Sequence, residues 1–444
     1  MKDITAKLAD GIGSVDNGDF FFSQRRTLQM KAFREEIASL TESDDQWVSA
    51  RVIADGRLGT AYTEKIDSRA IGRVAARALE NAAFADADPG NTLFDKSETG
   101  EYDGRTGDLG SRTVDEKKKM VLAGERIAMA YDSRIVNVPY CYYSESDGTY
   151  AIVNSHGLIK SQVVSSSGMF ISVMAKDGDE TQTGSEFVVA AAPSDMDVEL
   201  AAGTAARRAI EKLGAREIDS GEYPVVFDYQ TASELLGAFI ASPGSPFFGE
   251  NMQKGRSMLT GKLGESIGSD LFTIVDDPTK GLNPSFFDGD GVTTNKLILV
   301  DRGVFKNIVH NVYSAAREER ASTTGHASRS RGGVGTGLHH PFMENGEGAV
   351  DDLAKSMGTG ILVTEIEGLH AGLNPVTGDF SLSAMGFWIE AGSRAYPVRN
   401  AVVAGNFFEL ASRIVSKAGD IHHDTPGGFD APSMLVEKLS ISGR

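Results

Sequence analysis

Seven of the eight histidines in this 444-residue chain lie after residue 300: His310, His326, the pair His339-His340, His370 and the pair His422-His423. Neutral imidazole is the commonest metal ligand, so this clustering raises a zinc hypothesis. Adjacent residues of a strand point to opposite faces, so each histidine pair supplies one ligand at most. The helical arrangement that offers two imidazoles to one ion, as in His-Glu-x-x-His, occurs nowhere in the chain. By themselves the residues predict no catalytic zinc here, and histidines that sit in loops or at the surface.

Three other patterns have the outline of a site. Gly264-Glu-Ser266-Ile-Gly268 matches the nucleophile elbow, which needs a strand before it and a helix after it. A strand-like run, residues 271–275, follows instead, while Leu263, Ile267 and Leu271 suit a short helix. Ser266 is therefore a nucleophile only in an alternative reading. Asp288-Gly-Asp290-Gly291 begins like a calcium loop, but Thr293, Thr294 and Lys296 stand where further ligands are needed. A turn between strands is expected there. Gly332-Gly-Val-Gly335-Thr-Gly337 has the glycines of a phosphate loop, yet it runs into Leu338-His339-His340-Pro341 rather than Lys-Ser/Thr and a helix. It reads as a flexible loop near a binding cleft. The single cysteine, Cys141, excludes an intramolecular disulfide and a thiolate zinc cluster, and its aromatic surroundings predict a buried, inert thiol.

Composition narrows the function classes. Sixty-two acidic against 44 basic residues give a net charge of −18, which repels phosphate backbones. The nearest candidate for a basic patch, Arg329-Ser-Arg331 beside a glycine run, is too small to reverse that field, so nucleic-acid binding is not expected. Fifty glycines point to many tight turns and much β-structure. The opening residues have no apolar core for a signal peptide, and no run of eighteen apolar residues occurs. A soluble, cytoplasmic protein is expected, with two domains because the chain is too long for one ordinary core.

The elements that must position any site are of α+β type. An N-terminal domain, residues 1–215, alternates hairpins and helices. Strands flank Asp55-Gly56, a helix begins near Ser68, and Thr113 with Glu116 forms a capping box ahead of another. Residues 91–111 read as a surface loop, Asp147-Gly148 and Asp177-Gly178 as hairpin turns, and a helix over 197–213 ends at Gly214. A β-rich C-terminal domain, 222–444, opens with a strand at 223–227 and one helix capped by Thr231 with Glu234. Strands then dominate, as at 296–300, 361–364 and 386–390.

Several runs recur in an order that belongs together: Tyr223-Pro-Val-Val-Phe-Asp228, Gly261-Lys-Leu-Gly264, Thr273-Ile-Val-Asp-Asp277, Gly358-Thr-Gly-Ile-Leu-Val-Thr-Glu365, Gly386-Phe-Trp-Ile-Glu390 and Leu435-Val-Glu-Lys-Leu. With residues 51–62, 135–137 and 153–155 they make nearly the whole chain resemble the TldD/TldE (PmbA) family of zinc-dependent peptidases, and its TldE/PmbA type most. In that family a TldD-type subunit carries zinc on a helix with His-Glu-x-x-x-His, joined by a late cysteine. A TldE-type subunit lacks these ligands and pairs with it. The matching helix here is residues 235–242, with Gly237 and Ser242 at the histidine positions and Ala238 at the glutamate position. None of the three binds zinc or polarises water. The late cysteine is missing too, where the chain reads Ala418-Gly-Asp-Ile-His422-His423.

The resemblance thus implies a TldE/PmbA-like subunit of a cytosolic peptidase complex that acts on peptides or unfolded segments. It implies no cofactor in this chain, zinc in a TldD-type partner, and a heterodimer or a homodimer. His422 and His423 are expected near the partner's metal. Thr359, Gly360, Ile361, Leu362 and Val363 either bind peptide by strand addition or form an interior strand. Two alternatives stay open: a self-sufficient homodimeric hydrolase, using the C-terminal histidines or Ser266, and a peptide-binding protein without proteolysis.

Overall fold

The computed structural model describes residues 2–13, 15–425 and 428–444. The N-terminal part runs α1 (Lys2–Ile12), β1 (Gly18–Phe33), β2 (Glu36–Ala54), β3 (Arg57–Thr63), α2 (Ser68–Ala82), β4 (Thr99–Asp103), α3 (Val114–Ala130), β5 (Ile135–Asn154), β6 (Ile159–Asp177), β7 (Glu180–Ala190) and α4 (Val198–Glu211). Its strands form one sheet in the order β3-β2-β1-β5-β6-β4, with β7 also paired to β6. Apolar residues at helical spacing explain the covering helices. Ile71, Val74, Ala75 and Ala78 of α2 are buried against Phe20, Val48 and Val153, and Ala201, Ala202, Ala205 and Ala209 of α4 against Met169, Ile171 and Val173.

Local signals are kept where nothing competes with them. Thr113 and Glu116 make the reciprocal capping box of α3. Asp55 and Gly56 turn β2 into β3 at positive φ, and Gly178 does the same between β6 and β7. Two expectations are corrected. Asp147-Gly148 is not a turn, because β5 runs straight through it, paired to Arg26 and Arg25 on one side and to Ser165 and Val164 on the other. Two complete ladders outweigh one turn-prone dipeptide. The supposed surface loop at 91–111 contains β4, which adds a parallel edge to β6 at residues 159–163.

The C-terminal part runs β8 (Gly221–Phe227), α5 (Tyr229–Ile240), α6 (Gly249–Gln253), β9 (Ile274–Asp276), β10 (Leu297–Asp301), β11 (Val304–Phe305), α7 (Val312–Arg317), β12 (Ala327–Ser330), β13 (Gly333–Thr336), β14 (Pro341–Met343), α8 (Val350–Met357), β15 (Gly360–Glu367), β16 (Asp379–Glu390), β17 (Ser393–Asn406), α9 (Phe407–Ser412), β18 (Ile414–Lys417) and β19 (Met434–Ser442). The main sheet is ordered β17-β16-β15-β8-β19-β18, and a further pairing of β17 with β19 closes it into a barrel. Val225, Phe227, Ile361, Val363, Leu382, Val403 and Val436 share one core with Leu235, Leu236, Phe239 and Ile240 of α5. A smaller sheet, β11-β10-β9-β14, and the β12–β13 hairpin complete this part. The chain is thus α+β with a β-rich C-terminal half. The short helix suggested by Leu263, Ile267 and Leu271 does not form, since Gly261 and Gly264 adopt positive φ, which an α-helix cannot contain. No helix among the described residues is long and apolar enough to cross a membrane.

Candidate functional site

Helix α5 springs directly from β8. Its N-cap is Asp228 rather than the expected Thr231; the Asp228 carboxylate accepts from Thr231 N and Oγ1, both at 2.9 Å. The helix ends at Ile240, with Ala241 as its cap, so the expected span 235–242 is two residues too long. Pro243 disfavours helical backbone at the residue before it, and Ser242 consequently lies off the helix. Gly237 is buried on α5 and Ala238 half-buried. Neither carries a donor atom, and a hydroxyl beyond the helix end cannot complete a set with them. The chain's own residues do not fit a zinc ion at this helix.

A groove opens along the contact between the two halves. Its first cavity, of about 410 Å³, lies beside the start of α5 and is lined by Arg208, Tyr229, Glu234, Glu365, Asp420 and His422 among others. A second, of about 360 Å³, shares Arg208, Tyr229 and His422 and reaches Phe187, Val188 and Val189 of β7. A third, of about 320 Å³, continues from Val189, Asp424 and Thr425 to His340 and Asp430. Burial, reinforced by the charges of Asp228 and Glu365, pushes the Glu234 carboxyl up to about 7. Lys212 pairs with Glu365, and Arg208 with Glu186 at 2.8 Å. The His422 ring packs on Tyr229, 4.2 Å between centroids. The groove therefore combines apolar wall, fixed charge of both signs and one carboxyl poised near neutrality, which suits an extended polar chain better than a flat apolar ligand.

Two of the expected surface histidines are core residues. His310 is fully buried, its Nδ1 3.1 Å from Ser314 Oγ, and burial lowers it to about 4. Gly249 is required beside it, because a Cβ there would lie 2.3 Å from the imidazole ring. His326, also fully buried, sets Nε2 2.8 Å from Asp276 Oδ2 and Nδ1 2.8 Å from Thr324 O. The adjacent pair, in the bend before β14, divides: His339 turns toward Asp276 and His326, whereas His340 turns toward His423 and Asp430. Burial opposes charge on His340, but the hydrogen bond to Asp430 and its charge outweigh it and raise its pKa. Sequence reasoning missed both clusters, because no spacing rule joins Asp276, within the run 273–277, to His326 and His339, or Asp430 to His340.

The remaining sequence candidates resolve as structure. Ser266 is exposed and its hydroxyl donates to Gly268 O at 3.2 Å, with a loop rather than a helix after it, so it is no nucleophile elbow. Ile361, Leu362 and Val363 are hydrogen-bonded to β8 on one side and to β16 on the other, with Gly360 also paired to β16. Their backbone is not free for strand addition, and the interior-strand reading holds; Thr359 precedes the strand and Leu362 alone of the five lines the first cavity. Arg331 and Gly332 form the tip of the β12–β13 hairpin, and Gly333 and Gly335 lie in β13, rather than in a flexible loop. Asp288 fixes its turn by accepting from Asp290 N, Val292 N and Ala327 N at 2.8–3.0 Å. Asp290 joins a buried ionic network: Arg51 reaches Asp19 and Asp290 at 2.5 and 2.7 Å, and Arg329 reaches Asp19 at 2.7 Å. Burial would raise Asp19, but Arg329 and Arg51 together hold its carboxyl below the usual range.

Three family models match consecutive stretches: PmbA/TldA metallopeptidase domain 1 over residues 18–82, the central domain over 107–213 and the C-terminal domain over 220–443. The chain belongs to the PmbA/TldD/TldE metallopeptidase family. It is 27% identical to the metalloprotease PmbA of Escherichia coli O157:H7 over 439 residues, covering 97% of this chain and 93% of that one. A PmbA homolog of Haemophilus influenzae is 28% identical, covering 94% and 90%. Among solved structures, a Thermotoga maritima protein described as a modulator of a DNA gyrase superposes with a TM-score of 0.86 at 29% identity, covering 99% of each chain. TldE from Thermococcus kodakarensis superposes with a TM-score of 0.88 at 24% identity, covering 98% and 99%, a likeness that speaks to the fold.

Proposed function

We propose that this chain is the non-catalytic, TldE/PmbA-like subunit of a zinc-dependent peptidase complex that processes peptides or unfolded segments. The observation that carries this reading is the end of α5. Where a catalytic subunit of the family presents His-Glu-x-x-x-His, this helix offers Gly237 and Ala238 and stops before Ser242. A metallopeptidase needs three protein ligands, an open position and a base, and the family's three positions at this helix, Gly237, Ala238 and Ser242, supply no member of that set. The groove between the halves remains, with Arg208, Glu365, Glu234 and His422 along it. The subunit's part is to complete the substrate cleft and hold an extended chain against a partner's metal.

The test is a mixing experiment. This chain and a TldD-type chain bearing His-Glu-x-x-x-His are measured separately and together, for mass in solution and for cleavage of an unfolded peptide. Expected are a complex of the two chains and cleavage that needs the TldD-type chain. Chelator-sensitive cleavage by this chain alone would overturn the proposal.

A further inference from the structure

We propose that His340, His423 and Asp430 bind a divalent transition metal of the zinc class, at a site separate from the family's helix position. The three donor atoms form a nearly equilateral triangle. His340 Nε2 lies 3.0 Å from Asp430 Oδ2 and 3.3 Å from His423 Nδ1, and His423 Nδ1 lies 3.2 Å from Asp430 Oδ2. In a tetrahedral zinc site with bonds near 2.0–2.2 Å, ligand atoms sit about 3.3–3.6 Å apart. The triangle is a few tenths of an ångström short of one face of that tetrahedron, a gap that small side-chain shifts close. Two imidazole nitrogens and one carboxylate oxygen are a donor set suited to zinc rather than to magnesium or calcium.

The surroundings hold the donors in place. The second carboxylate oxygen of Asp430 accepts from Thr425 N at 3.0 Å and Thr425 Oγ1 at 2.6 Å, the kind of outer contact that orients a ligating carboxylate. Asp430 N donates to Pro341 O, and His340 N donates to Asp276 Oδ1 at 2.7 Å, so two ligands hang from paired backbone at the start of β14. Gly281 leaves the space: a Cβ there would lie 2.6 Å from both His340 Nδ1 and Asp424 Oδ1. Asp430 and His340 border the 320 Å³ cavity, which leaves room for a water as fourth ligand. Asp430 is almost fully buried while the His423 side chain is 41% exposed, which gives an ion a path in.

The neighbouring group Asp276, His326 and His339 contrasts with this. Both Asp276 oxygens accept backbone N–H groups, His326 uses both ring nitrogens, and His339 Nε2 contacts Gly325 O at 2.7 Å. Asp430 Oδ2 likewise accepts from Asp424 N at 3.1 Å, so the difference lies in the imidazoles: His326 and His339 are tied to the backbone carbonyls of Thr324 and Gly325, whereas His340 Nε2 and His423 Nδ1 face each other and Asp430.

The experiment uses the full chain, stripped with chelator and then titrated with zinc by calorimetry and with cobalt(II) by visible absorption. One equivalent of zinc and a four-coordinate cobalt spectrum are expected. H340Q and H423Q should each weaken binding by more than about 100-fold, and T425V by about 10–100-fold. H370Q and H156Q, which alter exposed histidines elsewhere, should bind as the parent does. Circular dichroism checks that each variant is folded; His423, being half-exposed, is the substitution best tolerated. A folded parent that takes up no zinc, or an H423Q chain that binds like the parent, would show a hydrogen-bonded cluster only and overturn the proposal.

Discussion

Two charged clusters lie where the N- and C-terminal sheets meet, and they are built to opposite plans. Asp19, Arg51, Asp290 and Arg329 have side chains no more than 7% exposed, and bidentate guanidinium contacts saturate Asp19 from two sides. His340, His423 and Asp430 grade from buried to half-exposed, and two imidazole nitrogens converge on one carboxylate oxygen beside a cavity. The first leaves no valence for a ligand and fastens the two halves together. The second also satisfies both Asp430 oxygens, but it sets its imidazoles at the mouth of a cavity. Residue type does not separate structure from function here; access does.

The largest effect should come from breaking the saturated cluster. Arg51→Ala leaves Asp19 with one partner fewer and Asp290 without its guanidinium, and should lower unfolding free energy by about 3–5 kcal/mol. Urea unfolding measures this; a loss below about 1 kcal/mol would mean the network is ornamental. Next comes the open cluster. Zinc at about 100 times its dissociation constant should stabilise the parent by about 2.7 kcal/mol and leave H423Q unchanged. A thermal melt with and without zinc reads the difference, and equal shifts in both chains would erase the contrast between the clusters.

Glu234 sharpens the comparison through pH. Its carboxyl is raised to about 7 in the fold, so the folded state holds a proton that the unfolded chain releases above about 4.3. Stability from this group is therefore lost as pH rises from about 4.3 to 7. Glu234→Gln should stabilise the chain at pH 8 relative to pH 5, by about 1–3 kcal/mol after allowance for its partial exposure. A pH-independent change would remove the poised carboxyl from the groove. The smallest effect belongs to Ser266→Ala, within about 0.5 kcal/mol and with no change in cleavage by the mixed subunits, because that hydroxyl contacts only its own loop.

Much of the fold was legible because its signals are local. The Thr113–Glu116 box, the Asp55-Gly56 turn and the buried stripe of α2 depend on residues a few positions apart. What failed depended on distant strands: Asp147-Gly148 is held extended by β1 and β6, and β4 exists because β6 offers it an edge. The site was legible only by halves. His339 and His340 part as strand alternation would have them do, but they do so in a bend ahead of β14 rather than in a strand. No spacing rule brings His340 to His423, 83 residues on, or buries His310 and His326, whose surroundings come from far along the chain.

The central claim is that α5 of this chain does no metal chemistry of its own. The most direct measurement is peptide turnover by this chain alone, against turnover when it is titrated into a TldD-type chain. The account predicts none alone, and a rise in the mixture that saturates at a fixed ratio of the two. Turnover by the isolated chain that a chelator abolishes would contradict it.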